Sequence, residues 1–343
     1  MTWKVKAREG DFIETVEGLI FDVKGFLHPP DRVIAYLRYL PDGRGTRQRN
    51  GIKYRKVYDL DARAYLLARR WPHYLYRCPV FNREVQAVPL DNVKSHCIPT
   101  ERYAELRQKA DLDPQERLAI GMVETLTNQT GISSSKIGVS GSILVGLHAA
   151  ESDIDLVLYG TEASRQTHAR LKSLLETRSE GFSPCGASDL RKLYKQRSLA
   201  SAISFETFVR HEQSKVLQGT FRGTQYFIRC VKEWDELHEE YGDRKYYPIG
   251  MATLSATIVD DSESIFTPST YQILHVELTG GAAIKPPSQI VSFRGRFCEQ
   301  ALIGERILAK GTLEKVVEKR GETHRLVIGE DPRDFLTVVG KSE

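Results

Sequence analysis

The sequence predicts an α+β chain in three parts. These are an N-terminal α+β domain over residues 1–105, a strand–helix–strand core over 112–240, and a small C-terminal β-barrel over 245–343. Three observations carry this. Residues 10–40 alternate apolar and polar positions at the strand period, whereas 59–70, 100–110, 113–130 and 161–176 repeat at the helix period. Residues 136–160 place two glycine-punctuated strands around a turn. From Tyr247 onward, short β-type runs dominate, broken by Gly280-Gly281, Pro286-Pro287, Gly304, Gly311 and Gly321.

In chain order, Phe12-Ile13, Val16, Leu19-Ile20-Phe21 and Val23 predict strands, and RVIAYLRYL (32–40) resumes them after Pro29-Pro30. Pro41-Asp42-Gly43 is a turn signal. Residues 44–56 then hold six basic side chains (Arg44, Arg47, Arg49, Lys53, Arg55, Lys56) and no acidic one, with Tyr54 and Tyr58 within or beside them. Such a loop suits a polyanion through charge and base stacking; a solvated hairpin tip accounts for the same residues. His28, His73 and His96 have no partner at metal-ligand spacing and are expected to be structural or surface residues. Asp113-Pro114-Gln115-Glu116 is a helix start, with Asp as N-cap, Pro in the first turn and Glu three residues after the cap. Leu118, Met122, Val123 and Leu126 give that helix an apolar face.

The chemistry is concentrated in KIGVSGSILVGLHAAESDIDLVLYG, 136–160. A short strand (Ile137, Val139) runs into Gly141-Ser142, a helix follows, and a second strand carries Asp153 and Asp155. One residue separates the aspartates, so on a strand both point to one face. Paired carboxylates repel, and a divalent cation held by oxygen ligands offsets that cost. Free N–H groups at a Gly-Ser turn suit phosphate. Phosphate cradle plus metal carboxylates is the chemistry of nucleotidyl transfer.

Gly141-Ser142, the ten-residue gap and Asp153-Ile154-Asp155-Leu156 together resemble the signature of the DNA polymerase beta-type nucleotidyltransferase superfamily, over roughly Asp113 to Trp234. The whole chain is also similar to an uncharacterised archaeal group of predicted nucleotidyltransferases. The resemblance implies a polymerase beta-like core that moves a nucleoside monophosphate from a triphosphate to a hydroxyl. Gly141 and Ser142 would hold the triphosphate, and Asp153 and Asp155 would hold Mg²⁺ (or Mn²⁺). It also implies a third carboxylate on a following strand. The strand expected there, Gln225–Val231, has no Asp or Glu. Glu233 and Asp235 lie just past it and Glu206 upstream, while Arg229 offers a cation to phosphate or to one aspartate. Lys192 and Lys195, in a helical stretch over 187–214, face either phosphate or solvent.

In the C-terminal part, MATLSATIVDD, SIFTP, YQILHVEL, QIVSFRGRF, ERILAKGTLEKVVEK and THRLVIG read as strands. The piece GERILAKGTLEKVVEKRGETHRLVIG resembles the hairpin of an oligonucleotide-binding (OB) barrel. Phe293, Arg294, Arg296, Lys310 and Lys315 would suit a nucleic-acid surface.

Net charge of +4 and pI near 8.7 permit a nucleic-acid partner without demanding one. Five scattered cysteines with no Cys-x-x-Cys argue against a zinc ribbon or disulfide framework. No Walker-type Gly-x-x-x-x-Gly-Lys is present, which argues against a P-loop ATPase. MTWKVKAREGDF lacks an apolar run and no stretch reaches about 18 apolar residues, so a cytoplasmic protein without a membrane span is expected. The leading expectation is a Mg²⁺-dependent nucleotidyltransferase acting on a nucleic acid such as an RNA 3′ end. The alternatives are a catalytically silent RNA- or nucleotide-binding protein, and an antitoxin-like transferase that modifies a protein.

Overall fold

The alternation of residues 10–40 becomes one sheet with two differently occupied faces. The computed structural model describes residues 6–198, 203–280 and 285–341. The first five residues, residues 199–202 of the stretch read as helical, and Gly281 lie outside the described residues. The chain is mixed α+β and divides into two compact units. One comprises the residues up to Cys78, Glu84–Ser183 and Gly219–Tyr241; the other comprises Pro79–Arg83, Pro184–Gln218 and the chain from Gly242 onward.

In the first unit, β1 (Phe12–Thr15), β2 (Ile20–Val23), β3 (Arg32–Pro41), β4 (Arg47–Arg49) and β5 (Ile52–Lys56) form an antiparallel array. β6 (Leu75–Cys78) pairs with β7 (Arg83–Pro89), β7 with β3, and β8 (Val93–Cys97) with β1. Successive side chains take opposite faces. Ile13, Phe21 and Leu37 pack with Leu67 of α1 (Leu60–Arg70) and with Tyr74. Phe12, Ile20, Tyr39 and Tyr54 face the other way, onto Leu144, Val145 and Leu147. Each of those three aliphatic side chains contributes roughly 1.5–3 kcal/mol by leaving water. The basic run is therefore the β4–β5 hairpin at the edge of a sheet packed on the residues after Gly141-Ser142.

The second sheet of this unit has the order β11-β12-β13-β10-β9. Its strands are β9 (Ile137–Val139), β10 (Ile154–Tyr159), β11 (Phe182–Ser183), β12 (Gln218–Phe221) and β13 (Thr224–Val231). β10 runs parallel to β13 and antiparallel to β9. α2 (Pro99–Gln108) leads to α3 (Pro114–Thr130), which starts at the expected capping box. The Asp113 side chain accepts from Gln115 and Glu116 N–H, and the Glu116 side chain accepts from Asp113 N–H. α3 and α5 (Thr161–Thr177) cover one face of β10. The opposite face carries Asp155, Val157 and Tyr159. Gly10 lies against Val157, and the Arg8 guanidinium sits 3.7 Å over the Tyr159 ring.

Between β9 and β10 the expected helix shrinks to one turn, α4 (Gly141–Leu144). Gly146 at φ +64° ends it, because a left-handed residue cannot continue a right-handed helix.

In the second unit, α6 (Ala187–Ser198) and α7 (Phe205–Gln213) precede a sheet of β14 (Arg244–Asp260), β15 (Ser269–Gly280), β16 (Gln289–Ser292), β17 (Glu305–Glu318), β18 (Gly321–Val327) and β19 (Phe335–Lys341). Its order is β14-β15-β16-β18-β17-β19, and β14 also pairs with β17, so the sheet curls back on itself. Ala252, Leu254, Ile258, Tyr271, Ile307 and Leu326 are among the side chains filling the inside of the curl. Three expectations change here. SIFTP forms turns, with Ser264 N–H on Asp261 O and Phe266 N–H on Glu263 O. FLTVVGK, unread as a strand, is β19. The strands are also longer than the Gly/Pro punctuation suggested: β14 spans 17 residues. It bends where the register shifts between Pro248 and Gly250 instead of ending there. Gly311 is required at a close approach, since a Cβ would meet Val327 O at 2.3 Å.

Candidate active site

β10 carries the site. Asp153 stands exposed just before the strand, and Asp155 is its second residue, half-buried. The Ser140 N–H donates to Asp155 O at 2.8 Å, which fixes the turn after β9 beside β10. Gly141 follows at φ +59°, and a Cβ on it would fall 1.9 Å from Asp155 Oδ2. Glycine is thus required there twice, for its backbone conformation and for its missing side chain. The two halves of the motif, with ten residues between Ser142 and Asp153, are in direct contact through Gly141 and Asp155. Ser142 is buried, and its hydroxyl makes no hydrogen bond among the described residues.

The Asp155 carboxylate accepts no hydrogen bond among the described residues. Burial is the main cause that pushes its pKa up, to about 7, and the Asp153 charge adds to it. Lys56 and Arg38 pull the other way, and Asp22 raises it further. All three belong to the N-terminal sheet. Asp22 pairs with Phe12 across β1–β2 and lies two residues from Ile20, so it shares the face packed on Leu144 and Val145. Its own ion-pair partner is Lys24, at 2.9 Å.

β13 presents no acid beside the pair. Phe227 stands opposite Asp155, and Arg229 opposite Val157. Arg229 is paired with the buried Glu9, which Lys24 also contacts at 3.1 Å. Glu233 is held by Arg8 at 2.8 Å and Lys136 at 2.7 Å. It packs against Gly160, five residues beyond Asp155 and so about 16 Å away along the strand. Glu233 therefore does not reach the pair. Besides Asp153, the Asp22 charge acts on Asp155.

The basic hairpin divides by role. The Arg47 guanidinium donates to Ser152 Oγ at 3.0 Å. Arg49 donates to Val145 O at 3.1 Å and to Glu14 at 2.7 Å, so both pin the hairpin to the loop ahead of the aspartates. Arg55 pairs with Asp42 at 2.8 Å. Lys56 and Arg38 have no carboxylate partner among the described residues. Their cations lie 4.5 and 5.0 Å over the ring of Tyr58, which is 64% exposed.

Other titratable groups have structural partners. His28 Nδ1 accepts from Ile34 N–H and its Nε2 meets Ala7 O, and burial holds its pKa down near 4. His96 contacts Asp11 at 2.8 Å, and His73 contacts Glu17 at 3.4 Å. Asp113, Glu116 and His148 bring three possible ligand atoms within 4.8 Å of one another. The capping box and His148 Nε2, at 2.6 Å, engage Asp113; Arg102 and Lys109 take the two Glu116 oxygens. In the second unit Lys192 and Lys195 are exposed, Arg294 donates to Gly329 O at 3.0 Å, and Lys315 pairs with Glu322 at 3.5 Å.

Comparison with known proteins finds a relative in Methanocaldococcus jannaschii, the uncharacterised protein MJ1086. It is 32% identical over 334 residues, which cover 95% of this chain and 96% of that one. The chain belongs to the MJ1086 family. No family model matches it, and no solved structure does. This member of the MJ1086 family thus aligns along nearly its whole length, both units included. No helix among its described residues is long and apolar enough to cross a membrane.

Of the four residues that the sequence groups, Gly141 and Asp155 stand in contact. Sequence reasoning missed Asp22, Arg38 and the partnering of Arg47 and Arg49. Asp22 left one trace, a charged residue inside the apolar run Leu19–Val23.

Proposed function

We propose that this member of the MJ1086 family is a nucleotidyltransferase of the polymerase beta type. The observation that carries the reading is Gly141 pressed against Asp155. It joins a phosphate-suited turn to a carboxylate that is half-buried, destabilised as an anion and without a hydrogen-bond donor. Asp153, Asp155 and Asp22 offer hard oxygen donors, the set that suits Mg²⁺ or Mn²⁺. Bound there, the ion would neutralise charge on a triphosphate and lower the pKa of an attacking hydroxyl. Gly141 and Ser142 would position the phosphates, and the apolar packing of Leu144 and Val145 on the N-terminal sheet would hold that turn rigid. The reaction moves a nucleoside monophosphate to an acceptor hydroxyl and releases pyrophosphate. We read the acceptor as nucleic acid, an RNA 3′ end in particular, and the curled C-terminal sheet as a small OB-like barrel.

Phe227 in place of an acid favours a second reading, a nucleotide- or RNA-binding protein without catalysis. One assay separates the two. The protein and an Asp153→Asn/Asp155→Asn variant are incubated with each labelled nucleoside triphosphate, Mg²⁺ or Mn²⁺ and total RNA. Label transfer to RNA that is lost in the variant supports the transferase. RNA binding by both proteins without transfer supports the silent reading, and label on protein assigns a protein acceptor.

A further inference from the structure

Tyr58 lies two residues past the end of β5 and is 64% exposed. An aromatic ring left this open gains little from folding, since most of its apolar surface stays in water. The two cations over it, Arg38 and Lys56, have no carboxylate partner among the described residues. In the same hairpin, Arg47, Arg49 and Arg55 all have one. Arg38 and Lys56 also act on Asp155 from the N-terminal sheet. Lys56 also lies 5.9 Å from the ring of Tyr39, which packs on Leu144 and Val145 just after the Gly141-Ser142 turn, so positive charge and an open ring lie on the sheet that packs against the motif.

We infer that Tyr58, Arg38 and Lys56 form the nucleoside-triphosphate-binding surface of the first unit. The base stacks on Tyr58, and the two cations meet the phosphates as they lead to Asp153 and Asp155. The assignment rests on the transferase reading for the position of the phosphates. It adds that recognition comes from the N-terminal sheet, outside the nucleotidyltransferase motif. Stacking is tolerant of base identity because every base has a π face, so this surface holds purine and pyrimidine triphosphates alike. The phosphate contribution is electrostatic and falls with salt.

The test is binding of a fluorescent nucleoside triphosphate to the full chain in the Asp153→Asn/Asp155→Asn background. That background removes both carboxylate repulsion and turnover. Adding Tyr58→Ala is expected to weaken binding roughly tenfold, whereas Tyr58→Trp keeps it and its indole emission is quenched by unlabelled triphosphate. Adding Arg38→Ala/Lys56→Ala is expected to weaken binding at least about tenfold and flatten its salt dependence. Circular dichroism establishes that each variant is folded. Triphosphate binding that is unchanged by these substitutions overturns the inference, even if label transfer by the wild type upholds the transferase reading. Dependence on Tyr58 without any label transfer upholds the inference and defeats that reading. Binding of a single-stranded oligonucleotide but of no triphosphate, through the same residues, assigns the surface to an acceptor strand and overturns the inference.

Discussion

A β-carbon on Gly141 would lie 1.9 Å from Oδ2 of Asp155, with Cγ and Cβ of Asp155 at 2.7 and 2.8 Å. The carboxylate cannot simply swing aside, because its own Cβ is part of the clash. Gly141→Ala must therefore move β10 or the turn, and it also places alanine at φ +59°. The left-handed conformation alone costs about 1–2 kcal/mol, and overpacking adds a similar amount. The expected loss is on the order of 2–4 kcal/mol, read as a lower urea midpoint, together with loss of label transfer. A variant with unchanged midpoint and transfer would show that the contact constrains neither fold nor site.

Asp155→Asn yields a pH signature. Burial and the charge of Asp153 push the Asp155 pKa up, to about 7, from an ordinary value near 4. The folded state then binds the proton more tightly than the unfolded state. This contribution to stability is fully present below about pH 4 and is lost as pH rises through about 7. Wild type and variant should be equally stable near pH 4. By pH 8 the variant should be more stable, by on the order of 1–3 kcal/mol. Denaturation at pH 4, 6 and 8 measures this. Mg²⁺ should raise the wild-type melting temperature at pH 8 and leave that of the variant unmoved. A constant gap across the series would contradict the assigned environment.

Glu233→Gln tests which acid serves the site. Arg8 and Lys136 hold Glu233 at the Gly160 end of the sheet. The substitution weakens two partly exposed ion pairs, worth about 1 kcal/mol together. Label transfer should stay within about threefold of wild type while the melting temperature falls slightly. Transfer reduced a hundredfold would return Glu233 to the site.

What was legible in the sequence was local. The capping box of Asp113 and Glu116 depends on residues three apart. The Arg222-Gly223 turn between β12 and β13, at φ +48° and +84°, likewise depends on near neighbours, and α3 starts at the expected capping box. The Gly141-Ser142 and Asp153–Asp155 halves were joined by resemblance, and their contact spans only fourteen residues from Gly141 to Asp155. What was hidden is non-local. The charge of Asp22 acts on Asp155 because the N-terminal sheet packs on Leu144 and Val145, and Arg49 finds Val145 O across 96 residues. No period or turn signal encodes such a pairing. The curl of the second unit was expected from Gly/Pro punctuation, but the β14–β17 pairing that makes it was not. The one-turn α4 was overread because its apolar residues pack on the N-terminal sheet and not along a helix face.

Asp22→Asn decides whether the N-terminal sheet takes part in the chemistry. Asp22 lies on the face that packs on Leu144 and Val145, and its charge raises the pKa of Asp155. Removing that charge should lower the Asp155 pKa, so Mg²⁺ affinity should approach its plateau at a lower pH. The site also loses an oxygen donor, so the plateau itself should be weaker. Lys24 keeps Glu9 as a partner at 3.1 Å, so the fold should lose little stability. Calorimetric Mg²⁺ titrations between pH 5.5 and 8.5 report both effects, and label transfer should fall at least about tenfold. A merely structural Asp22 would lower stability and leave the pH dependence of Mg²⁺ binding where it is. That outcome would confine the metal site to Asp153 and Asp155.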